Sequence, residues 1–583
     1  MLTFKGIPAS SGIAFGEALV IDNAGTRIKK QIVDKQQIPA ERERYLNAFE
    51  KAKQEVVANA VAVTQELGES YGLVFYAYRS ILEDSTLNKQ ILEKIEVERY
   101  AAPCAISTVF KQYAEKFHNI PNEHLAQRAL DIQDLESRLM QILVGVQMDS
   151  PTTLNKSYVV LAHNLTPSET ANFNRNTIQA FVTEIGGKSS HTSILAQALE
   201  IPAVVGAGRF LDKVKAGQMV IVDGNQGALY IDPTPDVIEK YKQQRLEQEK
   251  LLVELKNFDS AACTTKDNYP IQILGNIALD FDAKHCLEHG ADGIGLYRTE
   301  FLYMTSELQL DEEIHFQKYR EVIQTMKGKP VTIRTYDLGA DKILKDIMPD
   351  EERNPALGLR SIRLSLAIPQ MFRIQLRAIL RASVYGPVRI LFPMVSTLTE
   401  WRRIKMMVHD TFEDLDERGD KFDHNVPLGI MVEVPSTVMM IEEFLNVVDF
   451  ISIGTNDLIQ YTLATDRTNK NVAHLFDGCE PAIIKLIWKT VTAANKVNKP
   501  VSLCGQMASD PLLTMLLLGL GLRSLSMPSS AMRDVKQVCS AVTMLECRET
   551  AFRAMKSDNA SDIRSLLKRQ LATALPERYR MED

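Results

Sequence analysis

The sequence contains few cysteines, and their spacing argues against two kinds of site. Seven cysteines are spread over 583 residues without a CxxC pair, so we predict neither a disulfide framework nor a structural zinc site. Long apolar runs are also lacking. The longest, residues 512–522, is interrupted by Thr514, Gly519 and Gly521, and we expect no membrane insertion because it is too short to span a bilayer.

Two further absences concern location and partners. The first residues show no basic segment followed by an apolar core, so we expect no secretion signal and a cytoplasmic protein. A formal net charge of −7 argues against a general nucleic-acid binder and fits a small substrate or a basic protein partner. The length and the 45% apolar content predict a globular chain of about three domains.

The first part of the chain mixes strand and helix patterns. Residues 6–22 are typical of an opening strand, and apolar residues then recur at helical intervals. Strand patterns return at residues 158–162, 178–182, 219–222 and 228–231. We therefore predict an α/β domain formed by residues 1–22 and 147–232, which is interrupted by a helical subdomain at residues 23–146.

The remaining chain predicts a connector followed by a barrel. A helix at residues 236–255 carries charge on most faces, as is usual for a connector between domains, and we assign residues 233–258 to it. Short apolar runs then alternate with helices and predict a (β/α)₈ barrel over residues 259–583. The eight runs are residues 271–277, 293–298, 331–337, 389–395, 428–434, 450–456, 501–506 and 524–527.

One histidine lies in a stretch suited to phosphoryl transfer. His191 follows the turn Gly186–Gly187, is flanked by Ser189, Ser190, Thr192 and Ser193, and precedes a helix predicted to start near Ile194. Free N–H groups and the positive end of the helix dipole favour an anion there, and neutral imidazole is a competent nucleophile near pH 7. The alternative is an exposed histidine beside a capped helix.

Polar side chains follow several of the predicted barrel strands, where the chemistry of such barrels lies. Arginines suit a multiply anionic substrate, and carboxylates suit Mg²⁺. Taken singly, each arginine could instead form a surface ion pair, and Cys504 could be a small residue that fills space in the core. The residues are Arg298, Arg334, Arg360, Glu433, Asn456, Asp457, Arg467 and Cys504.

Several of these stretches are similar to known motifs. Residues 183–202 resemble the phosphohistidine signature of enzymes that exchange phosphate with phosphoenolpyruvate, and GIGLYRTEFLYM (293–304) and SIGTNDLIQYTLATDR (452–467) resemble barrel motifs of phosphoenolpyruvate-utilising enzymes. In order and spacing, nearly the whole chain resembles the enzyme I family of the bacterial phosphoenolpyruvate:sugar phosphotransferase system. Further matching motifs are TIRTYDLGADK (332–342), NPALGLRSIR (354–363), IMVEVP (430–435) and SLCGQMASD (502–510).

The resemblance implies a fold, a reaction and a set of residue roles. It implies transfer of the phosphoryl group of phosphoenolpyruvate to His191 and then to a histidine of the carrier HPr, which docks on the helical subdomain, and a homodimer formed through the barrel. The implied roles are phosphate ligands for Arg298 and Arg334, further substrate contacts for Arg360, Asn456, Asp457 and Arg467, Mg²⁺ ligands for Glu433 and Asp457, and a proton donor for Cys504.

Because His191 and the barrel belong to different predicted domains, we expect helix 236–255 to act as a hinge. Three departures from the family pattern stand out: Lys188 replaces a common arginine, Gln506 replaces a usual glutamate, and residues 74–79 lack the histidine and acidic residues often found near the carrier site. Two alternatives stay open. A phosphoenolpyruvate synthase or dikinase would need a nucleotide-binding domain, for which we find no glycine-rich phosphate loop. A regulatory protein would bind phosphoenolpyruvate without turnover.

Overall fold

The protein is described here from a computed structural model. It forms two compact units, Met1–Leu251 and Leu252–Asp583. The described residues are 1–21, 31–67, 78, 81–118, 123–144, 157–165, 177–187, 193, 196, 201–256, 258–259, 261–300, 311–339, 354–467, 469 and 471–579.

An eight-stranded mixed sheet organises the first unit, with strand order β1-β8-β7-β3-β4-β5-β6-β2. Strands β3 to β6 are parallel, and the other pairings are antiparallel. The parallel strands are apolar runs because both of their faces are buried. The strands are β1 Leu2–Lys5, β2 Ile7–Ser10, β3 Ile13–Ile21, β4 Tyr158–Ala162, β5 Ile178–Thr183, β6 Ala203–Val205, β7 Met219–Asp223 and β8 Ala228–Ile231.

The structure corrects the opening of this unit. The single strand predicted for residues 6–22 is replaced by β2 and β3, and β1 precedes them. Gly12 separates β2 from β3, since its φ of 122° is a conformation that interrupts a strand and favours glycine. Strand β6 was missed because it has only three residues. The four strands predicted between residues 158 and 231 are confirmed.

Helices in the described part of the first unit form a second core, as the periodic apolar residues predicted. Tyr45, Phe49, Leu135 and Leu139 are buried in this core. The helices are α1 Ile38–Leu67, α2 Ser85–Glu96, α3 Ala102–His118 and α4 Glu123–Val144. The finer domain boundaries given above stay predictions.

Helix α5, Pro235–Lys256, carries the chain from the first unit into the second. Pro235 starts the helix, where its missing N–H costs no hydrogen bond. Tyr241 is buried in a cluster with Ile13 and Ile221, and its hydroxyl donates to that of Tyr230 at 2.9 Å. The beginning of α5 is therefore attached to the first unit.

The second unit is a closed barrel of eight parallel strands, so the predicted (β/α)₈ architecture is confirmed. Each predicted apolar run overlaps one strand. The strands are β9 Gln272–Ile277, β10 Ile294–Arg298, β11 Val331–Arg334, β12 Val388–Phe392, β13 Leu428–Val432, β14 Phe450–Ile453, β15 Val501–Leu503 and β16 Ser524–Met527.

Helices cover the barrel, and an apolar layer fills its centre. Leu296, Leu391, Met431, Phe450 and Cys504 form this layer. No helix in the described part of either unit is long and apolar enough to cross a membrane. The barrel helices are α6 Asp280–Glu288, α7 Glu312–Thr325, α8 Ser361–Ala367, α9 Pro369–Ala382, α10 Leu398–Arg418, α11 Pro435–Met439, α12 Ile441–Leu445, α13 Thr455–Leu463, α14 Pro481–Lys496, α15 Pro511–Gly519, α16 Ser529–Ala541, α17 Met544–Met555 and α18 Ala560–Ala574.

Candidate active site

The polar residues singled out in the barrel lie at the carboxyl ends of the strands. Arg298 and Arg334 are the last residues of β10 and β11. Glu433 follows β13, and Cys504 follows β15. Because all strands are parallel, their ends meet at one rim, which is the usual position of an active site in this fold.

Two of the arginines are already paired with carboxylates of the rim. Arg334 is 7% exposed, and its guanidinium lies 2.8 Å from Glu300 and 3.3 Å from Asp337. Arg360 lies 2.8 Å from the other oxygen of Asp337 and 3.5 Å from Asp457. Charge-assisted hydrogen bonds of this length fix the guanidinium groups in place. Glu300 and Asp337 were not predicted as site residues, and they reduce the net positive charge that Arg334 and Arg360 contribute.

Two other arginines have no such partner. Arg298 and Arg467 are exposed at the rim, and among the described residues neither forms an ion pair with a carboxylate. Desolvation and the nearby positive charge of Arg334 lower the pKa of Arg298. A bound anion would relieve both effects at Arg298.

Glu433 is buried beside a second carboxylate. It is 1% exposed, and its Oε1 accepts the N–H of Met394 at 2.6 Å. Desolvation, followed by repulsion from Asp457 and Asp337, raises its pKa well above the usual range. The other oxygen, Oε2, lies so close to Gly454 that a Cβ there would approach it to 2.6 Å. Glycine at this position therefore leaves room for the carboxylate.

The pair Glu433 and Asp457 fits a magnesium ion. No group of three histidine, cysteine or acidic residues suited to a metal occurs in the described part of the chain. Mg²⁺ does not need such a cage, because it keeps several waters and binds through one or two carboxylates plus substrate phosphates. A divalent cation would also offset the repulsion between these two buried acids.

Cys504 lies at the bottom of the rim. It is 3% exposed, its Sγ lies 3.6 Å from the carbonyl oxygen of Ile453, and its own carbonyl accepts from the side chain of Asn276 at 2.9 Å. Desolvation raises the pKa of the Cys504 thiol. The sulfur therefore keeps its proton at neutral pH, as an acid that protonates a carbanion must.

The segment that follows Cys504 is connected to the rim through Asn456. The backbone N–H of Gln506 donates to Oδ1 of Asn456 at 2.9 Å. The side chain of Gln506 is exposed, so the departure from the usual glutamate lies at the solvent edge of the site.

A buried network supports the rim, and sequence reasoning missed it. Gln375 of α9 is fully buried. Its amide nitrogen donates to the hydroxyls of Thr299 at 2.9 Å and Tyr319 at 3.2 Å, and its oxygen accepts the N–H of Tyr336 at 3.1 Å. Thr299 in turn donates to the carbonyl of Arg334 at 2.9 Å. Gln375 thus connects the ends of β10 and β11.

His191 and Lys188 lie outside the described residues, as do residues 74–79 apart from Tyr78. The loop that leads to His191 is described up to Gly187, whose carbonyl accepts from the hydroxyl of Ser193 at 2.7 Å. Glu184 anchors this loop, since its Oε1 accepts the N–H groups of Phe210 at 2.8 Å and Leu211 at 3.0 Å. The role of His191 stays a prediction.

Comparison with known families agrees with this geometry. Residues 253–544 match the family described as "PEP-utilising enzyme, PEP-binding domain". Residues 5–128 match "PEP-utilising enzyme, N-terminal" and residues 154–227 match "PEP-utilising enzyme, mobile domain". The barrel and its rim therefore belong to the class of phosphoenolpyruvate-utilising enzymes.

Full-length relatives make the assignment more specific. Three proteins named phosphoenolpyruvate-protein phosphotransferase, from Bacillus sp. (strain S), Geobacillus stearothermophilus and Staphylococcus carnosus (strain TM300), are 39%, 40% and 38% identical to this chain. The alignments cover 98%, 98% and 97% of this chain and 99%, 99% and 98% of the relatives. The chain belongs to the phosphoenolpyruvate-protein phosphotransferase family, which confirms the resemblance to enzyme I and does not favour a synthase or dikinase.

Proposed function

We propose that this enzyme transfers the phosphoryl group of phosphoenolpyruvate to His191, releases pyruvate, and passes the phosphoryl group to a histidine of an HPr-like carrier protein. The observation that carries the proposal is the composition of the rim. Two exposed arginines without acidic partners among the described residues, a buried pair of carboxylates and a protonated thiol lie at the carboxyl ends of the barrel strands and in the segments that follow them. Each of these groups matches one requirement of the reaction.

The arginines and carboxylates bind and orient the substrate. Arg298 and Arg467 attract the anionic groups of the substrate. Arg334 and Arg360 are held in place by Glu300 and Asp337, so their N–H groups can donate to the substrate from fixed positions. Asn456 is a further polar contact. Glu433 and Asp457 would hold Mg²⁺, which when bound supplies charge neutralisation for the phosphoryl oxygens.

Transfer requires a nucleophile and an acid. The imidazole nitrogen of His191 forms a bond to phosphorus as the bond from phosphorus to the enol oxygen breaks, and the electron pair stays on pyruvate enolate. Cys504 then gives its proton to the enolate carbon, and the resulting thiolate recovers a proton from solvent. Protonation at carbon makes the transfer favourable because it removes the reactive enolate.

The remaining parts of the proposal concern partners and motion. The HPr-like carrier docks on the helical subdomain, residues 23–146, and the barrel forms a homodimer in the cytoplasm. Helix α5 is the hinge that lets His191 visit the barrel and then the carrier. Cross-linking the ends of α5 should block turnover while phosphoenolpyruvate binding persists, whereas retained turnover would exclude the hinge.

Phosphoenolpyruvate labelled in its phosphoryl group tests the central step. In the presence of Mg²⁺ we expect about one pyruvate per acid-labile phosphate on the protein, and none with His191→Ala. His409→Ala is the control, because His409 is an exposed barrel residue whose side chain is 73% accessible. Phosphoenolpyruvate binding without pyruvate release would support the regulatory alternative, and a requirement for ATP would support a dikinase or synthase.

Carrier transfer is tested in a second step. The labelled, phosphorylated protein is separated from phosphoenolpyruvate and mixed with a purified HPr-type carrier. Movement of the label to the carrier is the expected result, and retention of all label on His191 would contradict the proposed acceptor.

A further inference from the structure

The barrel contains a cavity at the end opposite the rim. Its volume is about 700 Å³, and it is lined by the first residues of several strands and by the loops that precede them, including Gln272, Thr332, Arg389 and Ser502. A volume of this size accommodates a small metabolite. The barrel residues assigned to the proposed reaction lie near the other ends of the strands.

The lining of this cavity is cationic. Arg389, Lys499 and Arg523 contribute positive charges, and Asp292 is the one carboxylate among the described residues that line the cavity. Asp292 accepts the backbone N–H of Ile273 at 2.9 Å. The lining groups therefore leave an excess of two positive charges, which matches the charge of a phosphate dianion better than that of a monocarboxylate.

The two arginines have no acidic partner in the described part of the structure. Arg389 lies over the ring of Phe450, 5.7 Å from its centroid, and no ion pair of Arg389 or Arg523 with a described carboxylate is formed. Arg523 donates to the carbonyls of Leu518 at 2.9 Å and Leu522 at 2.6 Å. Lys499 donates to the carbonyl of Val448 at 2.7 Å.

Arg377 and Arg381, two other half-buried arginines of the barrel, differ in this respect. Arg377 and Arg381 share Glu312 at 2.6 and 2.8 Å. Desolvation lowers the pKa of Arg389 and, together with Arg548, that of Arg523. Desolvation also lowers the pKa of Arg298 at the rim. Guanidinium groups without an acidic partner among the described residues are thus found at both ends of the barrel, half-buried in the cavity and exposed at the rim.

Neutral donors complete the cavity. Thr332 is paired with Arg389 in the β11–β12 register, and the hydroxyl of Ser502 donates to that of Ser452 at 3.1 Å. The oxygen of Gln272 accepts from Ser524 at 3.0 Å, so its amide NH₂ is the group that can donate to a ligand. The apolar layer that contains Leu391 and Phe450 separates these groups from the rim.

We propose that this cavity binds a small phosphate-bearing anion and is a second ligand site of the barrel, separate from the proposed phosphoenolpyruvate site. Arg389 and Arg523 grip the phosphate oxygens, and Lys499 adds a third positive charge. The proposal goes beyond the proposed function and does not depend on turnover.

Inorganic phosphate is the probe, and acetate at equal ionic strength is the carboxylate comparison. Binding is measured by titration calorimetry on the full chain and on Arg298→Gln, which removes an arginine of the rim. We expect phosphate to bind both proteins and acetate to bind at least about tenfold more weakly. Arg389→Gln should weaken phosphate binding in the Arg298→Gln background at least about tenfold, which corresponds to about 1.4 kcal/mol.

The matched control is Arg373→Gln, since Arg373 forms an exposed ion pair with Asp410 and should leave phosphate binding unchanged. Arg389→Lys keeps the charge and serves if the glutamine variant does not fold, with an intermediate affinity expected. A crystal of the wild-type chain soaked with tungstate locates the anion without any substitution. Tungstate at the rim alone, unchanged phosphate affinity in the Arg389 variants, or equal binding of acetate would each overturn the proposal.

Discussion

Replacing Gln375 by methionine tests whether the buried network behind the rim positions Arg334. The two side chains are similar in volume, so the substitution removes the amide without opening a large cavity. The N–H of Tyr336 would lose its acceptor at 3.1 Å, and the hydroxyls of Thr299 and Tyr319 would lose a donor.

The loss of the acceptor sets the expected size of the effect. A buried N–H left without a partner costs about 1–3 kcal/mol. The two hydroxyls should add less, because Thr299 still donates to the carbonyl of Arg334 at 2.9 Å. Since a small displacement of a positioning group can lower a rate up to about 100-fold, we expect kcat/KM for phosphoenolpyruvate to fall by at least about tenfold.

Two assays and one control separate positioning from simple destabilisation. Calorimetry gives the melting temperature of the barrel, and pyruvate release gives kcat and KM at a temperature far below it. Gln370→Met is the control, because Gln370 lies exposed on the same helix. If Gln375→Met melts earlier but keeps wild-type kcat and KM, the network supports the fold alone and the positioning role is wrong.

Three further predictions concern other parts of the barrel. Cys504→Ser should reduce pyruvate release by at least about tenfold, since serine is a much weaker acid, while labelled phosphate on the protein shows whether transfer still occurs. Gly454→Ala should cost about 1–3 kcal/mol by overpacking against Glu433 and raise the Mg²⁺ concentration needed for half-maximal rate. Glu312→Gln should destabilise the barrel by about 2 kcal/mol at pH 7 without changing kcat. Desolvation by itself would raise the pKa of Glu312, but hydrogen bonds from three arginines outweigh it and lower that pKa. The stability that the Glu312 carboxylate contributes is therefore present above its pKa in the unfolded chain. It is lost as the pH falls through the lower pKa of Glu312 in the folded protein. The difference in melting temperature between the wild type and Glu312→Gln should therefore vanish in acid.

Much of the barrel could be predicted from the sequence because its strands are buried on both faces. Such strands appear as short apolar runs between helices, and each of the eight runs overlaps a strand. The carboxyl-terminal parts of three runs also identified Arg334, Glu433 and Cys504 as candidate site residues, since parallel strands place their ends together. The succession of apolar runs and helices was sufficient to predict these elements.

Other features depend on contacts between distant segments. Glu300 and Asp337 were visible at the strand ends, but their ion pairs with Arg334 and Arg360 depend on strand register and loop geometry. Gln375 belongs to a helix whose sequence gives no sign that its amide reaches β10 and β11. The short strand β6 and the interruption at Gly12 likewise depend on the sheet that surrounds them.

The burial of the thiols has a consequence for how the protein withstands oxidants. All seven cysteines are buried, and Cys504, the proposed acid, is 3% exposed. Oxidants and alkylating reagents attack the thiolate at accessible positions. The same burial that keeps the proton on Cys504 should therefore protect the sulfur from sulfenic acid formation, so the proposed acid is shielded from oxidants by the fold itself.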